Sequence, residues 1–464
     1  MFDQPTQCGP GTLADFAQAL RDQPDLVAAL RAGLVGKGMM IDTPQGKKPL
    51  VYADYVASGR ALVTVERFIY ERVLPFYANS HTEDSFCGAT MTHLREAARQ
   101  RILAQCGGTP RDHALIFCGA GATAALNKLV HLLGLRAAVQ NGQPVHVLVG
   151  PYEHHSNLLP WREAGASVTE IDEGAEGGPD GAHLAKVLAT MAPGTMIVAA
   201  FSAASNVTGL GADVVGLTRQ VKAAGGRIVW DYAGGGPYLP IAMSPEGEGI
   251  DAIALSPHKF LGGPGASGVL ILRRDAVRTT IPSAPGGGTV AYVNDHTHDY
   301  RDQIEEREEG GTPNALGDIR AGLVFEVKAA LGQDFLTRRN ADLMAHATQV
   351  WAAHPRIRLL GGARIDRLPI LSFVVDGAAF DYQRFTRDLS ERYGIQARGG
   401  CACAGPYVHR LLQITPDRSA ALREQILSGD TSHKPGFVRL NLSVLMTDEE
   451  VDFILNAVAD LAAA

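Results

Sequence analysis

Residues Asp251–Leu272 read DAIALSPHKFLGGPGASGVLIL. An apolar, strand-like run (Ile253, Ala254, Leu255) ends in Ser256-Pro257-His258-Lys259. A loop holding Gly262, Gly263, Pro264 and Gly265 follows, and Gly268–Leu272 takes the chain back as a second apolar run. A lysine at the mouth of a strand is an unusual placement, because its flexible cation belongs on a solvated face. Two readings are open. Lys259 is either a surface residue beside a turn or a partly desolvated amine held to form an imine with a carbonyl.

The totals narrow the classes. A chain of 464 residues can bury a large core and is long enough for two domains. Its apolar fraction of 46% and charged fraction of 20% are ordinary for a soluble enzyme, and 52 glycines suit many tight loops over a ligand. A net charge of −7 without any basic run argues against nucleic acid as a partner. No apolar stretch is long enough to span a bilayer, and MFDQPTQCGPGTL lacks a signal pattern, so no membrane partner and a cytoplasmic location are expected. Cys8, Cys87, Cys106 and Cys118 are scattered, and only Cys401 and Cys403 are close; this points to reduced thiols.

Strand-like runs recur outward from the lysine, each emptying into a polar or glycine-rich loop. Ala114–Cys118 breaks at Gly119-Ala120-Gly121-Ala122-Thr123 and enters a helix from Ala124. That geometry offers free N–H groups and a positive helix end to a phosphate, and the dinucleotide pattern G-x-G-x-x-G is absent. Val145–Val149 leads into Glu153-His154-His155-Ser156-Asn157. Adjacent histidines there suggest either a metal site, which lacks further ligands at zinc spacing, or a ring lying on a flat ligand. Met196–Phe201 ends near Asn206, and Arg227–Trp230 runs into Asp231, a carboxylate that needs a partner if buried. Strand alternating with helix through the first two-thirds is the α/β pattern, with ligands expected at strand carboxyl ends.

The flanks read differently. Leu13, Phe16, Leu20, Leu26, Leu30 and Leu34 recur at roughly helical spacing, divided by Pro24. Residues 1–40 are expected to form a helical segment packing on the small domain, 41–335 the large domain, and 336–464 a smaller α+β domain. The acidic stretch Asp302–Glu309 reads as a solvated face. Cys401-Ala402-Cys403 sits in a glycine-rich loop, where two thiolates alone make no structural metal site. Arg439 falls mid-strand in Gly436–Leu442, which packing explains poorly.

Taken in order, these motifs resemble class V aminotransferases, and within them the group II cysteine desulfurases and selenocysteine lyases, over roughly residues 48–460. The motifs are Gly121-Ala122-Thr123, "EHHSN", Asn206, Asp231, Ser256-x-His258-Lys259, "GGTPN", Arg398-x-Gly400-x-x-Cys403 and Arg439. The resemblance implies a fold-type I enzyme of pyridoxal 5′-phosphate with a mostly parallel seven-stranded sheet. It implies Lys259 as the imine lysine, and Gly121, Ala122, Thr123, Ser256 and His258 around the phosphate. His154 would lie over the ring, Asn206 on the phenolic oxygen and Asp231 on the pyridine nitrogen. Thr312 would reach across a homodimer to the neighbour's phosphate, and His81 would lie near the entrance, where a solvated loop histidine is the plainer reading.

Arg439, with Arg398 beside it, would grip the substrate carboxylate, and Cys403 would be the nucleophile that carries sulfur to an acceptor protein. Two departures stand out. Gly234 replaces the usual Gln of Asp-x-Ala-Gln, and the loop histidine before the nucleophile is missing, with Cys401 and Ala402 in its place. The expected reaction is L-cysteine to L-alanine with a persulfide on Cys403. The alternatives are selenocysteine lyase, an epimerase or lyase like isopenicillin N epimerase, and a non-catalytic scaffold.

Overall fold

A computed structural model describes residues 9–80, 83–352, 354–362, 364–377, 380–431 and 434–463. Seven strands form its central sheet: β1 (His113–Cys118), β2 (Val145–Val149), β3 (Ser167–Glu170), β4 (Met196–Ser202), β5 (Arg227–Asp231), β6 (Ala252–Leu255) and β7 (Gly268–Arg273). Their spatial order is β1-β7-β6-β5-β4-β2-β3, and only the pairings of β7 are antiparallel. The near-continuous apolar runs are explained by burial on both faces. Leu115, Phe117, Phe201, Trp230, Ile253 and Leu255 enter one core, and Ala114, Ile116, Val147, Ala200, Val229 and Ala254 the opposite one. This period-two division fixes register, because a slip of one residue would exchange the two faces.

The small domain carries a four-stranded antiparallel sheet. It is built from β8 (Ile357–Leu359), β9 (Ile370–Val375), β10 (Arg398–Gly400) and β11 (Phe437–Asn441), in the order β8-β9-β11-β10. Helices Gln333–Ala352, Tyr382–Tyr393 and Asp448–Ala463 pack around it.

Three expectations need correction. Residues 51–55, assigned to the large domain, belong with the small one: Val51–Tyr52 pairs in parallel with Ile395–Gln396, and Ala53 and Tyr55 enter the small-domain core. The N-terminal segment divides at Pro24, but its first helix, Leu13–Arg21, docks on the large domain instead of the small one. A capping box of Thr12 and Asp15 starts that helix. Its stripe of Leu13, Phe16 and Leu20 joins the large-domain core, where Phe16 meets Phe68 edge-on at 5.3 Å. The second helix, Leu26–Ala32, and the turn after it reach the other side, through Arg31 Nε to the Leu445 carbonyl (2.7 Å) and Lys37 to Glu450 (2.9 Å). The close approach of the first helix needs Gly322, since a Cβ there would meet Leu13 and Ala98 at 2.8 and 2.7 Å.

The acidic run is not a solvated face throughout. Glu308 is buried and the Glu309 side chain is largely covered: Glu308 pairs with Lys128 at 2.9 Å, and Glu309 takes Arg95 and Arg99 at 2.8 Å each and the Phe117 N–H at 2.7 Å. Burial alone would raise the Glu309 carboxyl, but the two guanidiniums hold it below its ordinary range. The run therefore ties the sheet edge to helices Phe86–Gln105 and Ala315–Leu331.

The docking of the first helix generates a prediction. Phe16→Ala should remove about 3 kcal/mol and lower the thermal midpoint by several degrees, read by circular dichroism. An unchanged midpoint would show that the helix is not held on this core.

Candidate active site

The carboxyl ends of β1, β2, β4, β5 and β6 open onto one cavity of about 210 Å³, closed from above by β10, β11 and the loop after β10. Its wall includes Lys259, Asp231, His154, Asn206, Arg439 and Cys403. Asp231 ends β5 in register with Ala254 of β6, which brings Lys259, five residues beyond Ala254, to the same mouth. Pro257–Lys259 is a single tight turn, and its His258 carbonyl accepts the Gly59 N–H at 2.9 Å. Only glycine fits at position 59, since a Cβ would fall 1.8 Å from the Phe260 carbonyl oxygen.

Lys259 and Asp231 perturb each other. Burial pulls the Lys259 amine down to about 8, opposed by Asp231 and reinforced by Arg439 and Arg398. Burial raises the Asp231 carboxyl, opposed by the Ala233 N–H, which donates to Oδ1 at 2.7 Å, and by Lys259. Lys328 is pulled down to about 8 as well, but its Nζ is spent on the Gly236 and Leu239 carbonyls, at 2.6 and 2.5 Å. Its shift is that of a structural lysine, and cavity geometry separates the two.

At one end of the cavity lies a set of anion donors. The helix expected from Ala124 begins at Gly121, so Gly121, Ala122 and Thr123 form its first turn, where N–H groups lack partners along the helix. The Ala122 N–H donates to Ser256 Oγ (2.9 Å), and the Thr123 and Ser156 hydroxyls share a 2.7 Å hydrogen bond. Gly121 sits at φ +58, and a Cβ there would meet Ser256 Oγ at 2.8 Å and His258 Cε1 at 3.0 Å. His258 is pulled down to about 4, by burial first and Lys259 second, and is neutral near pH 7.

His154 is likewise pulled down to about 4, by burial and then Lys259. The Ser156 N–H donates to its Nδ1 (3.1 Å), which leaves the ring proton on Nε2. Beneath this loop lies Glu153, which sequence reasoning did not single out. Its carboxylate accepts from Ser202 N (2.8 Å), Ser202 Oγ (2.6 Å) and Asn157 Nδ2 (2.6 Å), and burial pushes it up to about 7. Glu153 thus fastens the end of β4 to the loop that carries His154.

The loop after β10 is pinned from below. Cys401–Ala404 is a turn in which the Ala404 N–H donates to the Cys401 carbonyl (3.1 Å). Ala402 (φ 49) and Cys403 (φ 55) both take the left-handed conformation, a cost of about 1–2 kcal/mol each. Three contacts hold it: Asn206 Nδ2 donates to the Ala402 carbonyl (2.8 Å), the His155 N–H to the Cys403 carbonyl (2.8 Å), and the Gly405 N–H to His155 Nε2 (3.0 Å). His155 is a positioning residue that only the doubled histidine could have hinted at. Cys403 is exposed at the cavity, whereas Cys401 packs half-buried on a cluster with Tyr152, Tyr407 and Phe437. Burial drives the Cys106 and Cys118 thiols up to about 12, which makes them inert.

Arg439, 3% exposed, donates to the Asn206 carbonyl and to Asp54, both at 3.0 Å, and Arg398 donates to the other Asp54 oxygen at 3.1 Å. Gly234 lines the wall beside Asn206, and its lack of a side chain leaves that wall open. Thr312 is exposed and away from the cavity lining, and His81 lies outside the described residues. Among the described residues no cluster of His, Cys, Asp and Glu could hold a metal ion.

The donor set fits pyridoxal phosphate. It combines an anion cradle that a Cβ at Gly121 would fill, a neutral imidazole face, a buried carboxylate opposite a desolvated amine, and room between them.

Comparison with known proteins agrees. A cysteine desulfurase of Pectobacterium atrosepticum is 27% identical over 413 residues, covering 87% of this chain and 91% of that protein. Two solved cysteine desulfurases share the fold, each with a TM-score of 0.74. One, from Thermococcus onnurineus, is 24% identical and covers 89% of this chain and 95% of its own; one from Escherichia coli is 23% identical and covers 95% and 99%. The family model for class-V aminotransferases matches residues 51–454. With the cavity and the lysine in place, the chain belongs to the class-V aminotransferase family and is a pyridoxal phosphate-dependent enzyme.

Proposed function

We propose that the enzyme is a cysteine desulfurase, converting L-cysteine to L-alanine and leaving a persulfide on Cys403. One observation carries this reading. An exposed thiol on a strained turn is pinned over the same cavity that holds Lys259, Asp231 and two arginines. The desulfurase relatives support the substrate class.

Lys259 would carry the cofactor, with Gly121, Ala122, Thr123, Ser256 and His258 around its phosphate. Pyridoxal phosphate supplies a carbonyl for the amino acid and a sink for electrons from its α-carbon. Asp231 would balance positive charge at the ring nitrogen, and the neutral His154 would offer a flat face to the ring. Arg439 and Arg398 orient the substrate carboxylate. Lys259, with its amine near 8, is suited to take the α-proton as a neutral base and later return it.

The Cys403 thiolate attacks the substrate sulfur. A bond forms between Cys403 Sγ and that sulfur, the S–Cβ bond breaks, and its electron pair stays with the substrate carbon and is protonated. The exposed Thr312 fits a homodimer in which it serves the neighbour's site. The exposed position of Cys403 fits onward transfer of sulfur to an acceptor protein.

Two predictions follow from these roles. Cys403→Ala should lower sulfide release from L-cysteine in the presence of dithiothreitol by about 100-fold, while Cys401→Ala keeps most of it. Equal turnover in Cys403→Ala and the parent enzyme would remove the persulfide step. Faster and thiol-independent turnover of L-selenocysteine would point to a selenocysteine lyase, and solvent deuterium in recovered, racemised amino acid to an epimerase.

Lys259 sets a pH dependence. Only the neutral amine attacks a carbonyl, so uptake of pyridoxal phosphate by the apoprotein should quicken tenfold per pH unit below about 8 and level off above it. Stopped-flow absorbance reads this directly. A rate still climbing toward the ordinary lysine value of 10.5 would show that the amine is not desolvated.

A further inference from the structure

Arg398 and Arg439 face each other directly across the antiparallel pair of β10 and β11. Like charges placed opposite one another on neighbouring strands repel. The charge between them is Asp54, which divides its carboxylate: Oδ1 accepts from Arg439 Nη2 (3.0 Å) and Oδ2 from Arg398 Nε (3.1 Å). Asp54 is largely buried, as is Arg439, while Arg398 is half-exposed.

The nitrogens of Arg439 are unequally used. Nη1 is committed to the Asn206 carbonyl and Nη2 to Asp54, whereas Nε is buried without a partner. An unmet buried donor is costly, and more so on a charged group. A carboxylate that satisfies Nε in the two-bond fork takes Nη2 as its second partner, and that is the nitrogen Asp54 now holds.

We propose that Asp54 is an internal carboxylate standing in for the substrate's own: it holds the two arginines together in the free enzyme and yields Nη2 when an outside carboxylate binds. This rests on the reading of Arg439 and Arg398 as the carboxylate site. Asp54 is then a positioning and affinity-setting residue. It cancels one of two positive charges, so carboxylates bind more weakly than two bare arginines would allow, and the product's carboxylate leaves more readily.

The probe is sodium propionate, which has neither an amine to react with the cofactor nor a sulfur, titrated calorimetrically into the holoenzyme. Asp54→Asn, which keeps the shape and removes the charge, should bind propionate about five- to tenfold more tightly than the parent protein. Asp54→Ser, also uncharged, is the second arm in case the amide disturbs folding, and retention of the cofactor's absorbance verifies that each variant is intact. A merely structural Asp54 would give the opposite sign, because misplaced arginines bind more weakly. Equal or weaker binding by the intact variants overturns the proposal. Arg439→Gln separates the two levels: if it binds propionate as well as the parent does, the carboxylate site itself is misassigned.

Discussion

Burial of one opposite-charge pair at the open end of a sheet is the constraint on which this structure depends. Asp231 ends one strand and Lys259 lies in the turn just beyond its parallel neighbour, and each loses solvation by being there. Such a pair recovers little of that cost by mutual attraction alone. What makes it tolerable is an arrangement that leaves room for a third, charged group between amine, carboxylate and anion cradle. The close-packed backbone at Gly59 and the left-handed Gly121 hold the two loops that frame that space. Stability is given up locally for a lysine that is neutral at accessible pH.

A second layer of residues fixes the first. Glu153 ties the loop of His154 to the end of β4, so the imidazole is presented at a set height over the cavity. His155 and Asn206 do the same for the loop of Cys403, using backbone carbonyls and one backbone N–H. Asp54 does it for the two arginines. In each case a polar group of the large domain or the N-terminal strand reaches a different element. The site is therefore assembled from both domains, and the left-handed turn at Ala402 and Cys403 persists because three contacts over-determine it.

Six of the seven strands of the sheet were legible in the sequence because they are buried and so read as apolar runs, from Ala114–Cys118 to Gly268–Leu272, whereas the edge strand Ser167–Glu170 is exposed to half-buried and left no such run. Functional residues in α/β proteins lie in the loops after such runs, which made Lys259, Asp231 and His154 visible as oddities of placement. Contacts between distant segments left no such trace. The partners of Asp54 lie 344 and 385 residues away, and no local period announces them. The same holds for Val51–Tyr52, whose strand partner is near residue 395, and for the first helix, whose apolar stripe shows that it docks but not where. Glu308 and Glu309 misled for another reason: a charge run is solvated unless cations elsewhere in the chain, here Lys128, Arg95 and Arg99, come to meet it.

The proposed chemistry depends on a covalent link at Lys259, and trapping that link is its most direct test. Borohydride reduction of the purified holoenzyme, followed by digestion and mass spectrometry, should place the pyridoxyl phosphate group on the peptide that contains Lys259. A label on Lys328, the other buried lysine with a lowered amine, or on no lysine at all would contradict the central claim.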